Sequence, residues 1–527
     1  MSRRRTVFSQ PLARPSSRDR ARARSRVLPL SVVAAVLGSG GRLTSASSPV
    51  PAVADLPPAL RAKLEPRVLR DLDRPGALAP VMVLLSEQAD LRAAPGMKDA
   101  SARGAYVLAT LQQTAARTQG DLLELLRRRG APHRPFFVAN VIAARIDVAL
   151  ARELAARPDV AAIESDAESR AIEPPHILDE TPTPTQLGAD PVIEWGVKSV
   201  SADKVWDLGI SGAGIVVANQ DTGMEWTHPA LKARYRGWDG ATARHDFSWH
   251  DSIHETTGNP CGNDAAAPCD DGSHGTHTTG TVIGDDGLGN RIGVAPGARW
   301  IGCRNMDRGR GTPSRYTECF EFFIAPTDLA GRNPDPDRRP HVMNNSWGCD
   351  RSEGCAPGTL RTVVENTVAA GIFVEASAGN SGPGCGTVDS DPAIFAAAFS
   401  TGAYDSTGLL ARFSSRGTVT SDGSGRMKPE LVAPGVRVRS SVPGGRYSAF
   451  SGTSMAGPHV VGVVALLWAA RPELVRDIAA TRKLLVASAR PDVRLSAVET
   501  CGGLPSDFVP NNSFGAGRID ALAAVTW

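Results

Sequence analysis

The segment GIVVANQDTG, residues 214–223, decides the fold that the sequence predicts. Its apolar run, 214–219, has no polar alternation, which is typical of a strand buried on both faces of a parallel sheet. Further strand candidates follow at 298–303, 341–346, 371–378 and 397–402, with helical stretches such as 359–370 and 455–470 between them. The pattern predicts an α/β fold in which a parallel sheet carries helices on both faces.

Two polar side chains follow predicted strands of this sheet. Asp221 comes directly after the run 214–219, and Asn380 follows the strand candidate that ends near residue 378. In open parallel sheets, ligands and catalytic groups gather beyond the C-terminal ends of the strands. The sequence therefore places a candidate site at this edge.

Composition excludes several classes of protein. The 527 residues are 42% hydrophobic and 21% charged, so the chain can build a large core. At about 150 residues per domain, this length predicts about two to four units. Ten arginines and one aspartate lie within residues 1–54, so this segment has a net charge of +9 and residues 55–527 have −6. Because the basic charge is confined to the first tenth of the chain, a nucleic-acid-binding function is disfavoured.

Residues 1–54 are predicted to be a basic leader and signal peptide. The apolar run 27–38 is shorter than the ~20 residues of a membrane span, and it precedes an Ala52-Val53-Ala54 cleavage pattern. The eight cysteines lie between residues 261 and 501 and show no Cys-x-x-Cys spacing. Their even number favours disulfides in an exported protein over a zinc site, with the connectivity left open. We expect a secreted protein, extracellular or periplasmic, without a membrane span.

Residues 55–184 are predicted to form a smaller unit before the main domain, residues 185–527. Strand candidates at 81–85, 136–146 and 160–163 alternate with helical stretches at 101–129 and 148–156. This β-α-β-α-β order implies a small α/β sandwich. The segment 173–184 is acidic and rich in proline, which is typical of an exposed linker that proteases can cut.

The first chemical motif is Asp221-Thr222-Gly223. The same tripeptide marks aspartic proteases, but those enzymes need two carboxylates that share a proton. No second Asp-Thr-Gly or Asp-Ser-Gly occurs in the chain, so that class is excluded.

The second motif, residues 272–280, surrounds His274 with glycines and small hydroxyl residues. Such a segment permits close approach of a substrate, although short motifs of this kind also occur around core histidines. His277 could form a metal pair with His274, but no third ligand has suitable spacing. We expect His277 to serve in packing and hydrogen bonding.

The third motif, residues 451–459, places Ser454 at the start of an apolar helix. There, free backbone N–H groups and the helix dipole favour developing negative charge, although a simple helix cap would use the same residue type. The Gly-x-Ser-x-Ala pattern differs from the Gly-x-Ser-x-Gly of α/β-hydrolases, whose chain order is Ser, Asp, His. The amide of Asn380 could donate to an oxyanion, the alternative being an ordinary turn.

Asp221, His274 and Ser454, in this order, make the chain resemble a subtilisin-family serine endopeptidase, most of all the bacillopeptidase F group. The family likeness is carried by residues 217–223, 273–280, 345–348, 377–382, 428–435 and 451–459. The likeness to the bacillopeptidase F group is carried by 304–307, 325–328 and 346–349. The resemblance covers residues 195–527, and residues 80–166 look like the family's inhibitory, chaperone-like propeptide.

The resemblance implies a role for each candidate residue. Ser454 would be the nucleophile, His274 the general base and then acid, and Asp221 the residue that orients His274 and stabilises its cation. Asn380 and the backbone N–H of Ser454 would form the oxyanion hole.

The resemblance also implies that a peptide substrate pairs with the enzyme as an added strand. The substrate-binding residues would be Ser346, Trp347 and Gly348 on one side, and Gly309 and Gly311 on the other. Trp347 and the small residues around Ala378 favour an apolar primary pocket.

Two positions depart from the family pattern. Gln220 replaces a small aliphatic residue before the aspartate, and Thr278-Thr279 replaces the common Val-Ala. Neither change removes a reacting group. The loop 285–290 lies where relatives often bind structural calcium, but its acidic residues lack a clear ligand spacing. We expect a solvated loop there, no metal ligands, and no cofactor for the chemistry.

Together these features predict a secreted serine endopeptidase that forms an acyl-enzyme and matures by removing its own propeptide. The fold is also used by acid-acting sedolisins, which carry Glu and Asp at the positions of His274 and Asn380, so activity at neutral to alkaline pH is expected. A non-catalytic peptide-binding protein on a protease fold and an esterase or acyltransferase remain as alternatives. The expected partners are protein or peptide substrates and the chain's own propeptide, and the expected state is a monomer.

Overall fold

A seven-stranded sheet forms the centre of the C-terminal module, which we define as residues 192–527. From edge to edge its strands are Leu431–Pro434, Phe399–Tyr404, Phe373–Ser377, Val342–Asn344, Val216–Asp221, Arg299–Arg304 and Trp249–Asp251. All neighbouring pairs are parallel, as the continuous apolar runs predict. This is the subtilisin-like α/β sheet expected from the sequence.

The structure is a computed structural model that describes residues 53–74, 76–170, 192–349 and 355–527. Almost all of the predicted leader and the whole predicted linker, 173–184, lie outside the described residues.

Helices cover both faces of the sheet. They are Trp195–Ser199, Ala202–Trp206, Pro229–Lys232, His274–Ile283, Pro313–Ile324, Arg361–Ala369, Thr453–Ala470, Ile478–Ala487 and Ala521–Thr526. Successive strand residues enter opposite cores: Val342 packs with the helix Thr453–Ala470, whereas Met343 packs with Pro313–Ile324. The helix Thr453–Ala470 is long and apolar enough to cross a membrane, but 89% of it is buried inside the protein.

The N-terminal module, residues 53–170, contains a four-stranded antiparallel sheet in the order His133–Phe136, Val141–Ile146, Ala79–Leu85, Val160–Ser165. Its α-helices are Pro58–Arg61, Pro66–Leu72, Ala100–Thr118, Gly120–Arg128 and Val148–Ala155. Short 3₁₀ turns lie at Val53–Asp55 and Ala94–Gly96 in this module, and at Pro336–Arg338 and Pro472–Leu474 in the other.

Two expectations for this module need correction. The run 136–146 is two strands rather than one, because residues 137–140 leave the sheet and the N–H groups of Phe137 and Val138 donate to Glu321 of the C-terminal module. The helix expected at 101–129 is interrupted at Gln119, whose buried amide donates to the carbonyl oxygen of Phe136 at 2.8 Å. The polar Gln119 thus ties the helix pair to the hairpin.

Short strand pairs complete the architecture. They are Met306–Asp307 with Arg310–Gly311 and Ser169–Arg170, Val192–Ile193 with Asn290–Arg291, Val438–Val442 with Arg446–Phe450, and Thr500–Cys501 with Leu504–Pro505. The first set joins the two modules, because Ser169–Arg170 ends the N-terminal module and pairs with the edge of the C-terminal one. A shared apolar core also joins them, in which Met82 and Leu111 pack in one cluster with Phe320 and Phe323.

All eight cysteines form disulfides, and none is free. The pairs are Cys261–Cys269, Cys303–Cys319, Cys349–Cys355 and Cys385–Cys501. The choice of disulfides over a zinc site is therefore confirmed, and the fold supplies the connectivity that the sequence left open.

Candidate active site

Asp221 ends the strand Val216–Asp221 at the point where the order of strands reverses. The chain continues from this strand to one side of the sheet, through Trp249–Asp251 and Arg299–Arg304, and then returns to Val342–Asn344 on the other side. Such switch points open a crevice beyond the carboxyl ends of the strands. The Asp221 side chain is fully buried there, and its Oδ1 accepts the Thr222 N–H at 2.7 Å.

His274 is the first residue of the helix His274–Ile283 and lies beside Asp221. Its Nδ1 is 2.8 Å from Asp221 Oδ1 and 2.9 Å from Oδ2. With the carboxylate ionised, Nδ1 carries the proton that donates to it, so Nε2 is left free to accept a proton. The approach requires glycine at position 275, where an added Cβ would lie 2.0 Å from the Gly223 carbonyl oxygen.

Asp270 connects the turn after Asp221 with the start of the His274 helix. Its Oδ1 accepts hydrogen bonds from Thr222 Oγ1 at 2.8 Å and from the N–H groups of Gly272 and Ser273 at 2.9 Å each. Its Oδ2 accepts from Thr276 N at 2.9 Å and Thr276 Oγ1 at 2.5 Å. Sequence reasoning missed this residue, although an aspartate just before a helix is a recognised cap signal.

Ser454 is the second residue of the helix Thr453–Ala470 and is partly exposed. Its Oγ donates to the carbonyl oxygen of Ser346 at 3.0 Å, and Ser346 Oγ donates back to the Ser454 carbonyl oxygen at 2.9 Å. Among the hydrogen bonds of the described residues, none joins Ser454 to His274. The serine hydroxyl thus donates to Ser346, and hydrogen bonds between catalytic groups commonly become short only in the complex with substrate.

Asn380 lies on the loop after the strand Phe373–Ser377 and is exposed. Its Oδ1 accepts from Thr453 N at 2.9 Å and Thr453 Oγ1 at 3.0 Å, which orients the amide. A Cβ added to Gly452 would lie 3.6 Å from Asn380 Nδ2 and 3.7 Å from Ser454 N. The two nitrogens therefore lie within 4 Å of one point beside Gly452.

Trp347 follows Ser346, but its indole faces the core. The ring is 2% exposed and stacks on Tyr316 with the ring centroids 3.9 Å apart. Gly348 lies close to the segment that contains Ser390, because a Cβ added at position 348 would lie 3.1 Å from the Ser390 Cβ. The Trp347 side chain therefore packs against the helix Pro313–Ile324.

Gly309 and Gly311 lie in the short strand pair that follows the strand Arg299–Arg304. Gly309 occupies the turn between the strands Met306–Asp307 and Arg310–Gly311, with φ of +77°. Gly311 pairs with Met306 on one side and with Ser169 on the other. The edge expected to bind substrate is thus occupied by the last strand of the N-terminal module.

The two departures from the family pattern form buried hydrogen bonds in two separate groups. Gln220 Nε2 donates to Asn345 Oδ1 at 2.5 Å. Asn219 Nδ2 donates to the hydroxyls of Thr278 and Thr279 at 2.8 and 2.9 Å. Thr278 Oγ1 also lies 3.3 Å from Asp221 Oδ2. Thr278 and Thr279 thus connect the His274 helix with the strand end, whereas Gln220 connects the strand with Asn345, roles that their positions in the sequence did not reveal.

The two segments weighed as metal sites are the His274–His277 pair and the loop 285–290. His277 is buried, stacks on Phe450 and bonds the carbonyl oxygen of Val438, and burial lowers its pKa to about 3, so it has the structural role expected. In the loop 285–290, Asp286 accepts the N–H groups of Leu288 and Asn290. Within the described ranges, no group of three or more His, Cys, Asp or Glu side chains could hold a metal ion.

Comparison with known proteins gives consistent matches. The model of the subtilase family (Peptidase_S8) matches residues 212–517. Bacillopeptidase F of Bacillus subtilis (strain 168) is 34% identical over 470 residues, which cover 87% of this chain but only 31% of that relative. Subtilisin E of the same strain is 29% identical over 370 residues, covering 70% of this chain and 81% of the relative. The thermophilic serine proteinase of Bacillus sp. (strain AK1) is 31% identical over 277 residues, covering 52% of this chain and 57% of the relative.

Proposed function

Since the chain belongs to the subtilase family, we propose that it is a serine endopeptidase and that Asp221, His274 and Ser454 carry the reaction. The observation that supports this assignment best is the buried Asp221–His274 pair, with both carboxylate oxygens within 2.9 Å of Nδ1. This geometry holds the imidazole in one tautomer and directs a basic Nε2 away from the carboxylate.

The reaction begins when the Ser454 hydroxyl turns from the Ser346 carbonyl oxygen to His274. As Ser454 Oγ attacks the scissile carbonyl carbon, His274 Nε2 takes its proton, and Asp221 stabilises the imidazolium. His274 then gives the proton to the leaving amine, and the C–N bond breaks to leave an acyl-enzyme. Water, activated by the same histidine, hydrolyses the ester and restores Ser454.

The negative charge on the tetrahedral intermediate would be received by Asn380 Nδ2 and Ser454 N. Both donors lie within 4 Å of one point beside Gly452, and the helix Thr453–Ala470 adds the positive end of its dipole. Removing one donor of this kind costs about 3–4 kcal/mol of transition-state stabilisation, a magnitude known from a subtilisin. The backbone of Ser346, Trp347 and Gly348 would bind the substrate as an added strand.

We further propose that residues 55–184 are an inhibitory propeptide and linker that the enzyme removes from itself after export by the leader, residues 1–54. The support is the strand Ser169–Arg170, which occupies the edge Arg310–Gly311 in the way that a substrate segment would. A chain that blocks its own binding edge must be cut and displaced before it can accept other proteins.

Intact mass tests this function directly. Wild-type protein and Ser454→Ala are purified in parallel and incubated at pH 8. We expect the wild type to lose its N-terminal segment and to react with one equivalent of a fluorophosphonate, and Ser454→Ala to do neither. If the wild type stays full-length on incubation, and also stays unlabelled by the fluorophosphonate after an added protease has cut the linker, the chain is a binding protein and the proposal is wrong. Hydrolysis of simple esters without any cleavage of peptide amides would indicate an esterase.

A further inference from the structure

Three buried arginines form a cluster where the two modules meet. Arg103, Arg339 and Arg476 are 6%, 3% and 7% exposed. Within the described residues, none of them forms an ion pair, and their guanidinium groups donate to backbone carbonyl oxygens instead. Arg103 is the one member that belongs to the N-terminal module. Burying an unpaired charge is costly unless every donor finds an acceptor. The burial of Arg103 therefore depends on the groups that accept its hydrogen bonds.

Arg103 uses three different nitrogens on three different carbonyl groups of the C-terminal module. Nε donates to Ala369 O at 2.7 Å, Nη2 to Val368 O at 3.0 Å and Nη1 to Arg476 O at 3.1 Å. We call these three carbonyl groups the carbonyl socket. Their spacing matches the planar fork of a guanidinium, which the single nitrogen of a lysine cannot reproduce.

The helix end supplies the part of the electrostatic setting that favours a cation in the socket. Val368 and Ala369 belong to the last turn of the helix Arg361–Ala369, whose final carbonyls carry its partial negative charge, and the Val368 carbonyl oxygen also accepts the Gly371 N–H at 2.9 Å. The chain turns away at Gly371, with φ of +85°, and a Cβ added there would lie 3.3 Å from the Arg103 guanidinium carbon. Arg339 and Arg476 oppose a third positive charge, and Asp477 favours it.

A cavity of about 790 Å³ lies beside this guanidinium. Its walls come from both modules and include Pro95, Met97, Arg103, Val368, Arg476 and Arg482. A small molecule can therefore reach the socket once the Arg103 side chain is shortened.

We propose that the carbonyl socket is a guanidinium-binding site separate from the active site, and that it keeps the N-terminal module docked through Arg103 after the chain is cut. The cutting itself rests on the proposed function, whereas the binding chemistry does not. The site selects a planar cation with several donors because it offers only neutral acceptors at the negative end of a helix.

The test uses chemical rescue in the full chain. Arg103→Ala is made in the inactive Ser454→Ala background, and thermal unfolding is followed with and without about 50 mM guanidinium chloride. We expect the variant to melt several degrees lower and guanidinium to restore part of that loss, with no such gain from equal sodium chloride. The matched control is Arg117→Ala, on the same helix, whose exposed guanidinium pairs with Glu87. Guanidinium should not raise its melting temperature.

A second measurement separates this site from the proposed function. In active chains that have cut themselves, the N-terminal module should dissociate from Arg103→Ala at least tenfold faster than from the wild type, followed by gel filtration. If Arg103→Ala does not fold, Arg103→Lys replaces it and should also release the module at least tenfold faster. The proposal is wrong if guanidinium fails to rescue, if it rescues Arg117→Ala equally, or if the release rates do not differ. A chain that never cuts itself refutes only the proposed function, since the rescue is still measured.

Discussion

Replacing Asp270 by asparagine should reduce catalysis without removing any reacting group. The amide oxygen can take the place of Oδ1, which receives three donors, so the amide nitrogen then faces Thr276. The Thr276 hydroxyl can rotate to accept from it, but the Thr276 N–H cannot. The backbone N–H of Thr276 therefore loses its acceptor and faces the N–H₂ group of the new asparagine instead.

An unsatisfied buried N–H costs about 1–3 kcal/mol, and the remaining bonds lose the extra strength of a charged acceptor. We expect Asp270→Asn to lower the free energy of unfolding by about 2–4 kcal/mol. The conflict falls two residues from His274, at the start of the helix that positions the imidazole. Since a misplacement near 1 Å can cost about 100-fold, we expect kcat to fall by about 10- to 100-fold with KM changed less than about threefold.

The assay measures kcat and KM on a peptide amide, together with urea unfolding of the inactive form. The control is Asp286→Asn, because Asp286 accepts backbone N–H groups and the Tyr447 hydroxyl in a similar way but contacts no member of the triad. It should lose stability and keep kcat. If Asp270→Asn keeps its kcat while losing stability, or if Asp286→Asn loses kcat equally, Asp270 does not position His274.

Three further predictions concern the modules and the core. Burial raises the pKa of Glu321 to about 7, and its carboxylate accepts the N–H groups of Phe137 and Val138 of the N-terminal module. If the pKa returns to its ordinary value of about 4.5 when that module leaves, the contribution of Glu321 to docking is complete below about pH 4.5 and is lost as the pH rises through 7. The cut complex should then dissociate at least about tenfold faster at pH 8 than at pH 5.5, and Glu321→Gln should weaken this dependence, whereas equal rates would contradict it. Replacing Cys385 and Cys501 by serine opens a cross-link between residues 116 apart and should lower the free energy of unfolding by about 2–5 kcal/mol in urea titrations. Trp347→Ala empties a core position and should cost about 3–5 kcal/mol; a melting temperature close to that of the wild type would show that the indole is not part of the core.

The sheet could be predicted because its strands are buried on both faces and therefore read as continuous apolar runs. The hairpin at 136–146 could not, because Phe137 and Val138 look like strand residues and only Glu321, far along the chain, draws their N–H groups away. Likewise, the pairing of Cys385 with Cys501 depends on the fold and on no local spacing. Local patterns thus predicted the helices and strands, whereas contacts between distant residues determine where these elements begin and end.

In the candidate site, too, some residues could be predicted from local motifs and others only from contacts between distant residues. Asp221 and His274 were predicted from short motifs, and the structure brings the two together. Asp270 escaped notice because its function depends on contact with both Thr222 and Thr276, which come together only in the folded chain. The core position of the Trp347 indole depends on Tyr316 of a separate helix, so a motif that places the residue beside the site could not reveal it.

The strand Ser169–Arg170 on the edge Arg310–Gly311 has a consequence for how enzyme activity depends on concentration. While the chain is intact, this occupant is tethered, and a short tether gives an effective concentration on the order of millimolar, regardless of how dilute the protein is. Once the chain is cut, the same segment becomes a bimolecular ligand at its actual concentration. A freshly matured sample should therefore gain activity on simple dilution, while the uncut chain stays equally closed at every dilution.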